Sequence, residues 1–254
     1  MTMTATTPRP FSAKLEAAKL ALRKARRVAV LTGAGISSDS GLATFREPQT
    51  GLWARFKPED LANANAFAND PALIWDWYLW RLALCREAVP NAGHLALVGL
   101  EQRSDSTLVT QNVDGLHQRA GSANPIELHG NLSRGRCTAC RNVQILSAQL
   151  LEYVTQIPPR CKGCGAMLRP DVVWFGEDLP RLALATAKAA FTACDVAVVI
   201  GTSGLVQPAA GLARVAKRNR AVVIEINPLE TALSGLADYA LRGPSSVLLP
   251  ALLE

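Results

Sequence analysis

Residues 28–38 read Val28-Ala29-Val30-Leu31-Thr32-Gly33-Ala34-Gly35-Ile36-Ser37-Ser38. An uncharged apolar run, β-branched in part, passes straight into a glycine-rich turn, and Ile36 onward is expected to open a helix. A run without polar alternation suits a strand covered on both faces, the habit of parallel sheets. The pattern recurs. Val196-Ala197-Val198-Val199-Ile200 ends in Gly201-Thr202-Ser203, and Ala221-Val222-Val223-Ile224-Glu225-Ile226 ends in Asn227-Pro228. Further strands are expected over 107–110 and 126–129. An amphipathic helix is expected over 13–26, with Leu15, Ala18 and Leu22 on one face. Residues 58–103 read as mainly helical, with Trp75, Trp77, Tyr78, Trp80 and Leu84 as a crowded apolar surface. Strands alternating with helices define an α/β fold with a doubly wound parallel sheet. Ligands of such a sheet gather beyond the carboxyl ends of its strands.

Gly33 and Gly35 remove side chains that would keep a pyrophosphate from the backbone, and a helix start adds positive potential. The loop is not a full G-x-G-x-x-G, because Ser38 stands at the third glycine's place. No strand ending in an acidic residue follows about 20 residues later, as an ordinary dinucleotide fold requires. A tight strand-to-helix turn explains the glycines equally well. A nucleotide, if bound, is held differently from that of a hydride-transfer enzyme.

With 254 residues, 49% of them hydrophobic, the chain fits one large domain, or one domain carrying a smaller insertion. No run of 18 apolar residues occurs, so no membrane span is expected. The Thr- and Pro-rich start lacks the apolar core of a secretory signal. Residues 1–12 are expected to form a flexible tail. The six cysteines then belong to a reducing compartment, with Cys85 and Cys194 as buried packing. The net charge of +6 is scattered and hints at an acidic ligand rather than a nucleic-acid face.

Cys137-x2-Cys140 and Cys161-x2-Cys164 are separated by 20 residues. Two such knuckles complete a tetrahedral sulfur site with no position left for water, so one structural zinc ion is expected. The chain has three histidines. His94 follows Asn91-Ala92-Gly93 and reads as a packing or capping residue. His117 and His129 are equal candidates for a general base: His129 ends a predicted strand before Gly130, and His117 follows the polar turn 111–116 after another. Gln111, Asn112 and Asp114 suit contacts to an amide or ribose, or plain turn chemistry. Tyr78 and Arg81 are three apart on a predicted helix and share a face, a clamp suited to a carboxylate.

Taken together, these residues resemble the sirtuin family of NAD-dependent protein-lysine deacylases. The matching motifs are Gly33-Ala34-Gly35-Ile36-Ser37 through Ser40-Gly41 to Phe45-Arg46, Thr110-Gln111-Asn112-Val113-Asp114-Gly115-Leu116-His117, Glu127-Leu128-His129-Gly130, both cysteine pairs, Gly201-Thr202-Ser203 and Glu225-Ile226-Asn227. They run in the family's order over about residues 25–249. The resemblance implies a Rossmann-like sheet with a smaller zinc-ribbon and helical module. The single catalytic domain then spans 13–254, with insertions near 47–105 and 133–169. It also implies that His129 is the general base and Asn112 its catalytic companion. Gly33, Ala34, Gly35, Ser37, Phe45, Arg46, Gln111, Asn112, Val113, Asp114, Gly201, Thr202, Ser203, Asn227 and Ser245 would contact NAD. Ala43 departs from the proline most members carry before Thr-Phe-Arg, which alters the stiffness of that loop.

The chain is most similar to the class III subgroup, which removes acidic acyl groups. Tyr78 and Arg81 match its acyl-reading pair and Ala62 its tunnel-widening small residue. Val173, Trp174 and Phe175 match the strand that pairs with the target peptide. The implied reaction moves a succinyl, malonyl or acetyl group from lysine to NAD, releasing nicotinamide and O-acyl-ADP-ribose. Expected partners are acyl-lysine proteins or peptides, with no membrane and no specific nucleic acid; a cytoplasmic monomer is expected. Two other readings stay open: a protein mono-ADP-ribosyltransferase using the same cleft, and a zinc-ribbon nucleic-acid-binding protein.

Overall fold

The structure, a computed structural model, describes residues 10–43, 53, 55–146 and 157–254. Helix α1 spans Pro10–Lys24, starting three residues before the expected helix, since proline is tolerated in a first helical turn. Strand β1 follows at Arg27–Thr32. After it come the helices α2 (Pro58–Leu61), α3 (Ala64–Asn69), α4 (Pro71–Glu87) and α5 (Ala92–Arg103). Next are β2 (Asp105–Thr110), α6 (Leu116–Ala120), β3 (Ile126–Glu127), β4 (Gly130–Cys137), β5 (Val143–Ile145) and β6 (Leu168–Val172). The chain closes with α7 (Arg181–Ala193), β7 (Val196–Ile200), α8 (Gly211–Arg218), β8 (Val222–Ile226), β9 (Tyr239–Leu241) and α9 (Ser245–Leu253). Among the described residues no helix is long and apolar enough to cross a membrane.

Six strands form one sheet in the order β3-β2-β1-β7-β8-β9, and every neighbouring pair is parallel. The order grows one way from β1 and then restarts on its other side at β7. The crevice between the carboxyl ends of β1 and β7 is therefore the switch point at which such sheets take ligands. Alternate residues of each central strand face opposite layers. Ala29, Leu31, Ala197 and Val199 pack with Ala187 and Phe191 of α7 and Leu212 and Ala213 of α8. Val28, Val30, Val196 and Val198 pack with Ala18 of α1, Leu97 and Leu100 of α5, and Leu248 and Leu249 of α9. Cys194 and Cys85 are both buried in apolar clusters, as expected.

The antiparallel strands β5-β4-β6 make a second sheet around the cysteine pairs. Leu132, Leu168, Val172 and Trp174 from this part share one core with Phe67, Ile74, Trp75, Trp77 and Tyr78 from the helical segment. The indole N–H of Trp75 donates to Leu168 O at 2.8 Å and ties α4 to β6. The helical segment and the cysteine-bearing segment thus share one core. Helix α5 stands apart from it and covers the parallel sheet, although it lies within the span expected for the helical insertion.

Two local expectations change. No α-helix opens at Ile36; two short 3-10 turns, Ala34–Ile36 and Ser38–Ser40, take its place. The third strand stops at Glu127, before His129. Gly130 turns the chain with φ +81 and lies so close to Asp171 that a Cβ there would sit 2.0 Å from its carbonyl oxygen. That turn sends the chain from the parallel sheet into β4.

Candidate active site

At the switch point the loops after β1 and β7 cross almost in contact. Gly33 N–H donates to Ile200 O at 2.9 Å and Gly35 N–H to Gly201 O at 2.8 Å. A Cβ on Gly35 would sit 2.7 Å from Gly201 Cα, and one on Gly201, whose φ is +59, would sit 2.5 Å from Ile36 N. These three glycines are required first by the crossing itself, which neither the phosphate reading nor the tight-turn reading of the sequence foresaw. The crossing still leaves donors over: the backbone N–H groups of Ala34, Thr202 and Ser203 donate to no described residue. They stand at the carboxyl ends of adjacent strands, where an anionic group meets unspent N–H dipoles.

Next to the crossing lies a cluster of buried polar side chains. Ser37 Oγ donates to Asp114 Oδ2 at 2.8 Å and accepts from Asn112 Nδ2 at 3.1 Å. Asp114 Oδ1 accepts from Leu116 N–H at 2.8 Å. Burial raises the Asp114 carboxyl's pKa, against the pull of these hydrogen bonds. Gln111 Nε2 donates to Thr202 Oγ1 at 3.1 Å, and Asn227 Nδ2 to Thr202 O at 3.1 Å. So Ser37, Gln111, Asn112, Asp114, Thr202 and Asn227, from four separate loops, form two linked clusters beside Gly33, Gly35 and Gly201. Val113 instead turns toward the module, where its carbonyl accepts from Leu132 N–H at 2.9 Å. Ser245, the first residue of α9, is buried, and its Oγ meets no partner among the described residues. Phe45 and Arg46 lie outside the described residues.

His129 occupies the edge between the two sheets. Its Nδ1 is 2.9 Å from Gln111 O. A carbonyl oxygen only accepts, so Nδ1 carries the proton and Nε2 is left with a lone pair. Burial lowers the ring's pKa, so the neutral, basic form persists through neutral pH. His117 is placed quite differently. It is fully buried, its Nε2 lies 2.9 Å from Thr32 Oγ1, and its ring meets that of His94 at 5.0 Å. This separates the two candidates: His117 belongs to the core, and His129 is partly exposed at the turn from β3 into β4. His94 is the capping residue expected, its Nδ1 accepting from Asn91 N–H at 3.3 Å.

Tyr78 and Arg81 lie on α4, in the module. Tyr78 is buried and its phenol pKa is pushed up to about 12 by that burial. Burial lowers Arg81's pKa, opposed by the charges of Tyr78, Cys85 and Asp114; its guanidinium carbon stands 5.0 Å over the Trp77 ring. Ala62 is buried, and its carbonyl accepts from Phe175 N–H at 2.9 Å. Val173 N–H donates to His129 O at 2.9 Å, and Trp174 N–H to Glu177 Oε2 at 2.9 Å. Every backbone N–H of the segment 173–175 is thus committed inside the fold. Phe175 is its exposed side chain, and Trp174 is buried.

The four motif cysteines converge so that their Sγ atoms all lie within 4.8 Å of one another. Cys137 and Cys164 are 3.4 Å apart and Cys140 and Cys161 3.7 Å. Zinc–thiolate bonds of about 2.3 Å in a tetrahedron put sulfurs about 3.8 Å apart, so the set fits that ion. Gln144 Nε2 donates to Cys161 Sγ at 3.2 Å, a contact suited to a thiolate.

Several contributors escape a reading of the sequence. Thr32 and Thr110 join through their hydroxyls at 2.8 Å beneath the site, and Thr110 Oγ1 accepts from Asn112 N–H at 3.0 Å. Glu225, buried in β8, takes Arg242 at 2.6 Å and Ser234 at 2.7 Å. An acid within an apolar strand is the one signal that could have flagged it.

A parallel sheet with a nucleotide-type switch point, joined to a module whose four cysteines converge as a metal site, defines an α/β class that carries a structural metal ribbon. Comparison with known proteins names that class. The Sir2 family profile matches residues 33–208, and the chain belongs to the Sir2 family. It is 51% identical over 233 residues to the NAD-dependent protein deacylase of Ralstonia nicotianae, covering 91% of this chain and 93% of the relative. It is 51% identical over 234 residues to that of a Thermus thermophilus strain, covering 90% of each. A crystal structure of a Sir2 homologue–NAD complex superposes with a TM-score of 0.86 at 43% identity, covering 98% of this chain and 95% of the other. A Sir2 homologue mutant solved with ADP-ribose has a TM-score of 0.85 at 45% identity, covering 94% of each chain.

Proposed function

We propose that this chain is an NAD-dependent protein-lysine deacylase whose acyl site prefers negatively charged groups such as succinyl and malonyl over acetyl. The observation that carries the deacylase reading is the hydrogen bonding of His129: Nδ1–H is spent on Gln111 O, which leaves Nε2 as a base at the turn from β3 into β4. The relatives named for NAD-dependent deacylation support it at about half identity over nine-tenths of the chain.

When bound, NAD supplies the ribose that accepts the acyl group and releases nicotinamide. The N–H groups of Ala34, Thr202 and Ser203 meet its phosphates. Ser37, Asn112 and Asp114 would hold the nicotinamide end, with the Asn112 side chain itself oriented by its bond to Ser37. Gln111, Asn227 and Ser245 line the remainder, with Phe45 and Arg46 as further contacts carried by the family resemblance. His129 Nε2 accepts the proton of a ribose hydroxyl. A zinc ion held by Cys137, Cys140, Cys161 and Cys164 stabilises the module and takes no part in the chemistry.

Tyr78 and Arg81 support the acidic-acyl preference: a buried phenol and a guanidinium one helical turn apart, with Ala62 as the small neighbour. Segment 173–175 orders the substrate side; a target peptide pairing there meets the carbonyls of Val173 and Phe175, since the N–H groups are taken. The test is NAD-dependent release of succinyl and acetyl from otherwise identical lysine peptides. The wild type is expected to favour succinyl, and Arg81→Ala to lower the succinyl-to-acetyl ratio of kcat/KM by about 30-fold or more, the scale of losing a buried charge partner. A ratio indifferent to Arg81 defeats the preference and leaves the deacylase reading intact. NAD consumption with ADP-ribose retained on protein would favour the transferase instead. The nucleic-acid reading is weakened by Arg134 and Arg136, whose charges are taken by Glu127 and Asp171.

A further inference from the structure

We infer that Trp174 is a positioning residue for acyl recognition, acting by fixing the direction in which the Tyr78 hydroxyl donates. The inference rests on the acidic-acyl reading of Tyr78 and Arg81 and adds a residue from a different part of the chain. Trp174 Nε1 lies 2.9 Å from the Tyr78 hydroxyl oxygen. An indole N–H only donates, so the phenol oxygen is the acceptor and its own proton points away from Trp174. No described residue accepts that proton. A hydroxyl that already accepts a hydrogen bond is also a stronger donor. Tyr78 is thereby set as a donor toward an acceptor-only ligand, which a carboxylate is and a methyl group is not.

The indole is held from several sides. The Arg169 guanidinium carbon stands 3.4 Å from the ring centroid, and Phe67 meets the ring at 5.2 Å. Arg169 is itself fixed by Glu177 at 2.5 and 2.9 Å and by Val172 O at 2.8 Å. The same Glu177 accepts the backbone N–H of Trp174. One carboxylate therefore anchors both the backbone of Trp174 and the cation stacked on its ring. Neighbouring Val173 and Phe175 bond to His129 O and Ala62 O, so this short segment joins the base, the acyl site and the donor tyrosine.

Trp174→Phe keeps an aromatic ring beneath Arg169 and deletes the N–H. The succinyl-to-acetyl ratio of kcat/KM is measured for wild type, Trp174→Phe, Tyr78→Phe and the double variant. Trp174→Phe is expected to lower the ratio about three- to tenfold, the scale of one net hydrogen bond, chiefly through KM for the succinyl peptide. In the Tyr78→Phe background it should lower the ratio no further, because the partner is gone. A purely packing role predicts an equal fall in both backgrounds. An unchanged ratio in Trp174→Phe, or that equal fall, overturns the inference. A second readout needs no turnover: the indole ¹⁵N–H resonance of Trp174 should move and exchange faster in Tyr78→Phe, and an unmoved resonance also overturns it. A wild type without succinyl preference defeats the acidic-acyl reading itself. A wild type that prefers succinyl while Trp174→Phe is indifferent defeats only the role of Trp174.

Discussion

Three histidines in one chain acquire three different tasks, and their surroundings decide which. His129 keeps a proton on Nδ1 because Gln111 O demands one, and burial lowers its pKa from the usual 6.5. A base of that kind works in its neutral form. The acid limb of kcat/KM should accordingly fall with a midpoint below 6.5, and His129→Ala should lose about 10²- to 10⁴-fold at neutral pH. A pH–rate profile on the wild type reads the first and single-turnover assays the second. His94 and His117 have no such outlet. Burial lowers them to about 4 and about 3, His117 further through the neighbouring His94. Their folded pKa values lie below the unfolded 6.5, so the unfolded chain binds protons first as pH falls. Stability from the pair is complete above pH 6.5 and declines toward the folded values. Between pH 6.5 and about 5 the decline should steepen as the unfolded chain takes up protons that both folded rings refuse. Urea unfolding at stepped pH checks it, and a flat profile in that window contradicts the buried pair. Residue type and spacing around His117 and His129 do not separate them; the family motif Glu127-Leu128-His129-Gly130 points to His129 only by resemblance. Only the depth of each ring in the packed molecule separates them physically.

At the scale of elements, the glycine crossing ties β1, β7 and β8 together, since Gly201 N–H also donates to Ile226 O at 3.0 Å. Gly201 and Gly41 both have positive φ, +59 and +84, but only Gly201 is crowded, while a Cβ on Gly41 meets nothing within 4 Å. Gly41→Ala should cost about 1 kcal/mol for its backbone alone. Gly201→Ala should cost at least about 2 kcal/mol more, because the Cβ forces the two loops apart. Chemical denaturation of both variants compares them, and equal costs would remove the crossing as the cause. The strand β1 was legible as a buried parallel strand from its unbroken apolar run. The helix expected after the loop was not realised. Ser37 bonds to Asp114 and Asn112 across the sheet, and those tertiary contacts outweigh local helical preference over 34–40.

In the whole molecule the zinc ribbon and the helical segment depend on each other. Strands β4, β5 and β6 form a small sheet, and Val143 and Ile145 of β5 remain exposed. A three-stranded sheet of this size has little core of its own, so the cysteine cluster and the helices α3 and α4 must supply the rest. One zinc per chain is expected by metal analysis. Its removal with a chelator, or Cys164→Ser, should lower the Tm and loosen the packing of Trp75 and Trp174, read by tryptophan fluorescence. A chelated protein with unaltered Tm and fluorescence would show the ribbon to be dispensable to the module. The shared core also explains why the two insertions, separate in sequence, act as one body beside the crevice.

The sequence by itself determined the α/β class, the parallel strands, the sulfur ligand set and the family motifs. These depend on residue type and spacing, which local physics and motif order read directly. Tertiary structure alone decided that the glycines serve a loop crossing and that His117 is core and His129 edge. It alone placed Trp174 against Tyr78, 96 residues apart in sequence. Each of these depends on which distant side chains meet and how deeply they are buried, and no spacing along the chain encodes a contact between separate elements.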